Sequence, residues 1–260
     1  MPMDLGLTDK VALIAGSSRG IGFATAELFV REGAMVVLTA RGERPLAEAR
    51  QALSNVAGSS RVLAVEADMT SAEGVDSAID AAVREFGRID AVVANVGDGH
   101  VQPGWDVDSA QWLSVLNTNL TGAAAVARSA IPHLKSTRGN LVFVSSIAGL
   151  EAVGAPMTYS VAKASLGALV KCLSRLLGGD AVRVNAVAPG NVRFSGSRWD
   201  QKISEDPDGV EAYIRSQVPL LRFASPNEVA AGIVFLASAC ASFITGACLV
   251  IDGGQTQSFF

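Results

Sequence analysis

Short unbroken apolar runs alternate along the chain with segments of helical apolar spacing, and no other feature constrains the fold as much. The first run, Val11 to Ala15, leads into a glycine-rich turn. A helical segment from Ile21 to Arg31 follows and stops at Gly33. Further apolar runs begin at Met35, Val62, Ile89, Asn140, Val182 and Cys248. Continuous apolar strands separated by helices are the pattern of a parallel sheet buried on both faces by its crossover helices. The expected fold is α/β: one domain with a doubly wound parallel sheet of about seven strands flanked by helices. The alternation breaks once, over about residues 192–225, a polar stretch holding Trp199, Pro207 and Pro219. A connection of that length is expected to be irregular, and either functional, here as a lid, or disordered.

Composition excludes some function classes. The net charge of -4 leaves no basic face for nucleic acid. The apolar runs are too short to span a bilayer, and the polar N-terminal stretch has no secretion-signal pattern. Cys172, Cys240 and Cys248 show no ligand spacing and are expected to be small buried apolar residues in a reducing, cytoplasmic compartment. Two histidines far apart, His100 and His133, offer no metal site.

The turn after the first strand reads Gly16-Ser17-Ser18-Arg19-Gly20-Ile21-Gly22, with glycines spaced G-x-x-x-G-x-G. Glycines there permit a tight turn and let backbone N–H groups approach a pyrophosphate at a helix N-terminus. The bland alternative is a turn that happens to be glycine-rich. The second strand ends Thr39-Ala40-Arg41, without the acid that would bond a ribose 2′-hydroxyl. Arg41 and Arg19 instead offer two guanidinium groups to a 2′-phosphate, so NADP(H) is expected over NAD, unless both are solvated surface charges.

Tyr159-Ser160-Val161-Ala162-Lys163 places a phenol and an ammonium on one helix face. A nearby cation stabilises phenolate and should lower the tyrosine pKa, fitting it to exchange a proton with a carbonyl or alcohol oxygen. Thirteen residues earlier, Ser145-Ser146 closes an apolar strand at the end where open α/β sheets bind ligands. Asn119 lies in a largely apolar helical stretch from about Ser109 to Leu134 and needs a partner if buried; a capping or kink residue is the alternative.

Taken together, Gly16-x-x-x-Gly20-x-Gly22, Ala94-Asn95-Val96-Gly97, Asn119, Ser146, Tyr159-x-x-x-Lys163 and Pro189-Gly190 resemble, in order and spacing, the short-chain dehydrogenases/reductases. The likeness runs from about Leu7 to Gly254 and is nearest to the bacterial 3-oxoacyl-carrier-protein-reductase-like branch. It implies a Rossmann fold with a dinucleotide-binding half over about residues 7–135 and a catalytic half over about residues 136–260. It implies an oxidoreductase that interconverts a small ketone or aldehyde and an alcohol. In that reading Tyr159 is the general acid/base, Lys163 tunes it and binds the nicotinamide ribose, and Ser146 positions the substrate oxygen. Asn119 would hold a water in a proton relay, and Asp68 and Met69 would flank the adenine. Asn95 and Gly97 would support the cofactor, with Ser18, Arg19 and Ile21 in its phosphate loop and Pro189, Gly190 and Val192 along the nicotinamide. The family also implies a homotetramer.

Three positions depart from the family pattern. Ala15 stands for a Thr before the glycine loop, Val96 for an Ala, and Phe194 for a Thr that binds the carboxamide, a role that adjacent Ser195 would have to take. His100 is either a substrate contact or a solvated loop residue, and Trp199 either an apolar wall of the substrate site or plain lid packing. Phe259-Phe260 would pack at a subunit interface or lie in solvent. Two other function classes stay open: a cofactor-binding sensor without chemistry, and an isomerase or dehydratase without net cofactor turnover.

Overall fold

The computed structural model describes residues 4–258; Phe259-Phe260 lie outside them. Seven parallel strands form one sheet in the order β3-β2-β1-β4-β5-β6-β7. They are β1 (Val11–Ile14), β2 (Met35–Ala40), β3 (Val62–Glu66), β4 (Ala91–Ala94), β5 (Asn140–Val144), β6 (Arg183–Pro189) and β7 (Cys248–Ile251). The order turns back between β1 and β4, so the helices leaving these two strands diverge and open a crevice at their carboxyl ends.

Period-two alternation along the strands feeds two cores. Val11, Leu13 and Ala15 face one layer, with α3 (Ala72–Phe86), α5 (Gly122–Thr137) and α6 (Met157–Leu177). Ala12 and Ile14 face the other, with Phe29 of α1 (Gly20–Arg31), Leu53 of α2 (Glu43–Ala57) and Ile233 of α9 (Pro226–Ala237). Gly22 lets α1 sit close to β1, since a Cβ there would strike the Gly16 carbonyl oxygen. Ser71 and Asp108 accept the N-terminal amides of α3 and of α4 (Ser109–Leu116) and start those helices.

Four expectations change. The 192–225 segment is not irregular: it holds α7 (Arg198–Glu205) and α8 (Pro207–Gln217). Their starts follow local rules, with Ser197 capping α7, Asp206 capping α8 and Pro207 in the first turn of α8. Second, the helical stretch around Asn119 is two helices joined by one π turn over Asn117–Thr121. Third, burial on both faces fails at the margin: β7 is an edge strand with Cys248, Leu249 and Val250 exposed. Fourth, all three cysteines are free and exposed, because Cys172 lies on the outer face of α6, Cys240 in the turn after α9 and Cys248 on that edge. Among the described residues no helix is long and apolar enough to cross a membrane.

Candidate active site

Two connected chambers of about 700 and 730 Å³ occupy the crevice over the β1/β4 switch point. The outer one is built on the glycine turn. Gly16 and Gly20 hold positive φ (71° and 59°), which favours glycine. Thr39 and Ser17 fasten this turn to β2: the Gly16 N–H donates to Thr39 Oγ1 at 3.1 Å, and the Thr39 N–H to Ser17 Oγ at 2.9 Å. The Ala15 departure is thus met by a hydroxyl from the next strand. Asn95 Nδ2 donates to the Gly16 carbonyl at 2.9 Å and ties the turn to β4.

Arg19 caps α1 in extended conformation with no side-chain hydrogen bond to the first helical amides. Those N–H groups, with the dipole behind them, are the anion site that a dinucleotide's pyrophosphate requires. Ser18, Arg19, Ile21, Arg41, Asp68 and Met69 line the same chamber. Asp68 is held by the Thr70 N–H and hydroxyl, which keep its carboxyl below the usual range, with Arg41 adding to the effect. Arg19 and Arg41 are exposed and, among the described residues, neither forms an ion pair. The residues present therefore fit a nicotinamide dinucleotide.

The inner chamber is lined by Ser146, Tyr159, Lys163, Pro189, Gly190 and Val192, with Trp199 above. Lys163 is only 4% exposed, and its Nζ donates to the Val144 carbonyl at 3.0 Å. Burial lowers its pKa to about 8. Ser145, named with Ser146 at the strand end, instead donates from Oγ to the Lys163 carbonyl at 3.0 Å and fixes α6 against β5.

Tyr159 departs from expectation. Burial pushes its phenol above the ordinary value; its hydrogen bond with Ser146 opposes this, Asp98 adds to it, and Arg198 opposes it. Lys163 Nζ lies 5.7 Å from the Tyr159 ring centroid and is not among these causes, so the expected lowering by lysine is not found. Desolvation of the phenol outweighs the nearby groups that favour phenolate.

Asn119 is 1% exposed and lies behind the chamber wall. Its Oδ1 accepts the Asp98 N–H at 3.0 Å, and its Nδ2 donates to the Asp98 and Val115 carbonyls at 3.1 and 3.2 Å. The π turn places this buried amide, as such turns often do at functional sites. Gly97 lies between Asn119 and Lys163: a Cβ there would sit 2.8 Å from Lys163 Nζ and 2.9 Å from Asn119 Oδ1. Pro189-Gly190 has a similar reason, since a Cβ at Gly190 would meet Asp252 Cα at 2.8 Å.

His100 does not reach the inner chamber. It lines the outer one, and its Nδ1 pairs with Asp98 Oδ1 at 2.8 Å, because the Asp98–His100 turn folds the imidazole onto its own loop. Asp98 is a charged neighbour the sequence reading missed. Burial raises its carboxyl, but hydrogen bonds from the His100 N–H and ring outweigh this and hold it low. Phe194 rests its ring on Gly20, where a Cβ would come within 2.7 Å of Phe194 Cζ. Ser195 is exposed and lines neither chamber; Ser197, two residues on, lines the outer one.

Trp199 stacks on Tyr213 at 5.0 Å and tilts against Phe223 at 4.5 Å, and its Nε1 donates to Asn191 Oδ1 at 3.1 Å. Tyr213 of α8 and Phe223 thus hold the Trp199 ring in place. Arg198 Nη1 donates to the Gly99 carbonyl at 2.8 Å and links α7 to the loop after β4. Sequence reading passed over Arg198, Lys202 and Tyr213; the i, i+4 spacing of the two cations was the available signal.

The family described as enoyl-(acyl carrier protein) reductase matches residues 15–256. The chain is 36% identical over 258 residues to cis-4-hydroxycyclohexanecarboxylate dehydrogenase of Sinomonas cyclohexanicum, covering 98% of this chain and 99% of that one. It is 35% identical over 250 residues to a 3-oxoacyl-[acyl-carrier-protein] reductase of Chlamydia muridarum (strain MoPn / Nigg), covering 96% and 98%. L-Sorbose reductase from Gluconobacter frateurii, complexed with NADPH and L-sorbose, superposes with a TM-score of 0.92 at 32% identity, covering 99% and 100%. A 7α-hydroxysteroid dehydrogenase complexed with NADH and 7-oxo glycochenodeoxycholic acid superposes at 0.88 and 26% identity, covering 99% and 98%. With its dinucleotide cradle, its Ser-Tyr-Lys cluster and full-length relatives of this kind, the chain belongs to the short-chain dehydrogenase/reductase family of oxidoreductases.

Proposed function

We propose that this oxidoreductase is an NADP(H)-dependent enzyme that interconverts a small ketone or aldehyde and its alcohol, with Tyr159 as general acid/base. The observation that carries the reading is the convergence of Ser146, Tyr159 and Lys163 on one chamber that opens to the dinucleotide cradle. A bound nicotinamide supplies or accepts the hydride. Ser146 orients the substrate oxygen beside the phenol. The Tyr159 phenol, hydrogen-bonded with Ser146, would give a proton to the carbonyl oxygen in reduction or take one from the alcohol in the reverse direction. Lys163 brings a buried cation to the same wall. Asn119 acts through the Asp98 main chain and keeps the loop at Gly97 in place; the geometry supports this positioning role for it.

Preference for NADPH rests on Arg19 and Arg41 at the outer chamber, both free of ion pairs, with no acid at the end of β2. Among the described residues no ion pair joins Arg41 to Glu43, and Asp68, which feels the Arg41 charge, is engaged by the Thr70 N–H and hydroxyl. Exposed Leu113 on α4, Leu176 on α6 and Phe243 and Val250 near β7 fit the subunit contacts of a homotetramer. Free surface thiols suit a reducing cytoplasm.

The test is Tyr159→Phe, which removes the transferable proton and little volume. Reduction of a ketone panel, followed at the reduced-nicotinamide absorbance, should fall by roughly 10²–10⁴-fold with the fold retained. Near-wild-type reduction would overturn the assignment. Cofactor binding without turnover of any carbonyl by the wild-type enzyme would favour the sensor reading instead.

A further inference from the structure

The lid carries a cation that the chemistry above does not use. Helix α7 presents Arg198, Trp199 and Lys202 toward the inner chamber, at i, i+1 and i+4 spacing. The Lys202 ammonium lies 4.7 Å from the Trp199 ring, a cation–π distance, so the aromatic wall holds it in place. Lys202 is half-buried, and no carboxylate among the described residues lies within ion-pair distance of it.

The other charged groups of this chamber have hydrogen-bond partners of their own, and Glu205 and Asp206 keep their charge without pairing to Lys202. Arg198 donates to the Gly99 carbonyl. Glu205 accepts from Gln201 Nε2 at 2.7 Å, and Asp206 Oδ1 caps α8 through the Gly209 N–H at 2.9 Å. Both acids line the chamber from exposed positions, whereas Lys202 is half-buried against Trp199. Lys163 hydrogen-bonds to the Val144 carbonyl of β5 beside Tyr159. One cation without an ion-pair partner, set beside Trp199 in a cavity of mixed polar and apolar lining, is a recognition element for a negative charge.

We propose that Lys202 is a specificity-determining residue that binds a carboxylate carried by the substrate away from its reacting carbon, so that the preferred substrates are oxo- or hydroxy-monocarboxylates with a compact carbon skeleton. The proposal rests on the carbonyl–alcohol reading above. Trp199 and Val210 pack the skeleton, and Lys202 orients it by holding its charged end.

The experiment compares 4-oxocyclohexanecarboxylate with 4-oxocyclohexanecarboxamide, which has nearly the same shape and no charge. Steady-state reduction is measured with NADPH and with NADH. Binding of cyclohexanecarboxylate and cyclohexanecarboxamide to the NADP⁺-loaded enzyme is followed by calorimetry. Wild-type enzyme should prefer the acid by roughly 10- to 100-fold in kcat/KM, carried mainly by KM, as for one charge-assisted contact. Lys202→Met should cost the acid far more than the amide and so remove that preference, Lys202→Arg should retain most of it, and added salt should shrink it. Equal binding of acid and amide by the wild type, or equal loss for both in Lys202→Met, overturns the proposal even if ketones are reduced. Selective carboxylate binding that depends on Lys202, with no reduction of any ketone, overturns the reductase reading and leaves the anion site standing.

Discussion

Gly97→Ala tests whether the inner chamber depends on how closely three distant segments pack. The added Cβ would lie 2.8 Å from Lys163 Nζ and 2.9 Å from Asn119 Oδ1, each roughly 0.5 Å or more inside ordinary van der Waals contact. Neither neighbour yields freely. Lys163 Nζ is bonded to the Val144 carbonyl, and Asn119 Oδ1 accepts the Asp98 N–H in a site that is 1% exposed. Overpacking of this kind costs about 1–3 kcal/mol. At about 2–4 °C per kcal/mol for a domain near this size, Tm should fall by a few degrees up to about 10 °C. The catalytic effect should be larger, since a misplacement approaching 1 Å costs on the order of 10²-fold. The assay pairs kcat/KM for ketone reduction with calorimetric Tm, and Gly99→Ala is the control. A Cβ at Gly99 meets only Tyr159 Cε2, at 3.9 Å, so that variant should stay near wild type in both. Wild-type kcat/KM and Tm in Gly97→Ala, or equal damage in Gly99→Ala, would refute the reasoning.

Three further outcomes are expected. The Lys163 pKa falls from 10.5 to about 8 on burial, so from pH about 8 to about 10.5 the unfolded chain binds more protons and stability from this group rises with pH. The cost below pH 8 is about 3 kcal/mol at 1.36 kcal/mol per unit. Lys163→Met should therefore unfold at higher urea than wild type at pH 7, by about 1–3 kcal/mol once the lost bond to Val144 is allowed for, while losing activity. That advantage should shrink as pH nears 10; an advantage independent of pH would show that the charge is not the cause. Ala40→Asp with Arg41→Ile should turn an NADPH preference of roughly tenfold or more into one for NADH, read as kcat/KM for both cofactors; wild-type preference for NADH would remove the role given to the arginines. Trp199→Ala cuts the wall that packs on Tyr213 and Phe223 and should reorder substrates more than it changes NADPH affinity, whereas a uniform loss across the ketone panel would count against the lid.

What could be read from the chain alone was what local spacing encodes. The alternation of apolar runs and helical segments determined a doubly wound sheet, because periods of 2 and 3.6 report which faces are buried. The glycine turn after β1 and the Tyr159–Lys163 spacing placed the two ends of the site, since each motif works within one element. Even the lid helices left local traces, in Ser197 and in Asp206-Pro207, that polarity and length obscured. Tertiary structure alone decided whatever depends on neighbours far apart in sequence. It set Gly97 between Asn119 and Lys163, turned His100 away from the inner chamber onto Asp98, and, among the described residues, left Lys202 beside Trp199 without an ion-pair partner. It also put three cysteines on the surface, where residue type predicts burial, because β7 ends the sheet and α6 turns Cys172 outward. Spacing along a chain specifies an element and its buried face; which charge meets which partner, and how much water each keeps, is set only when the elements pack.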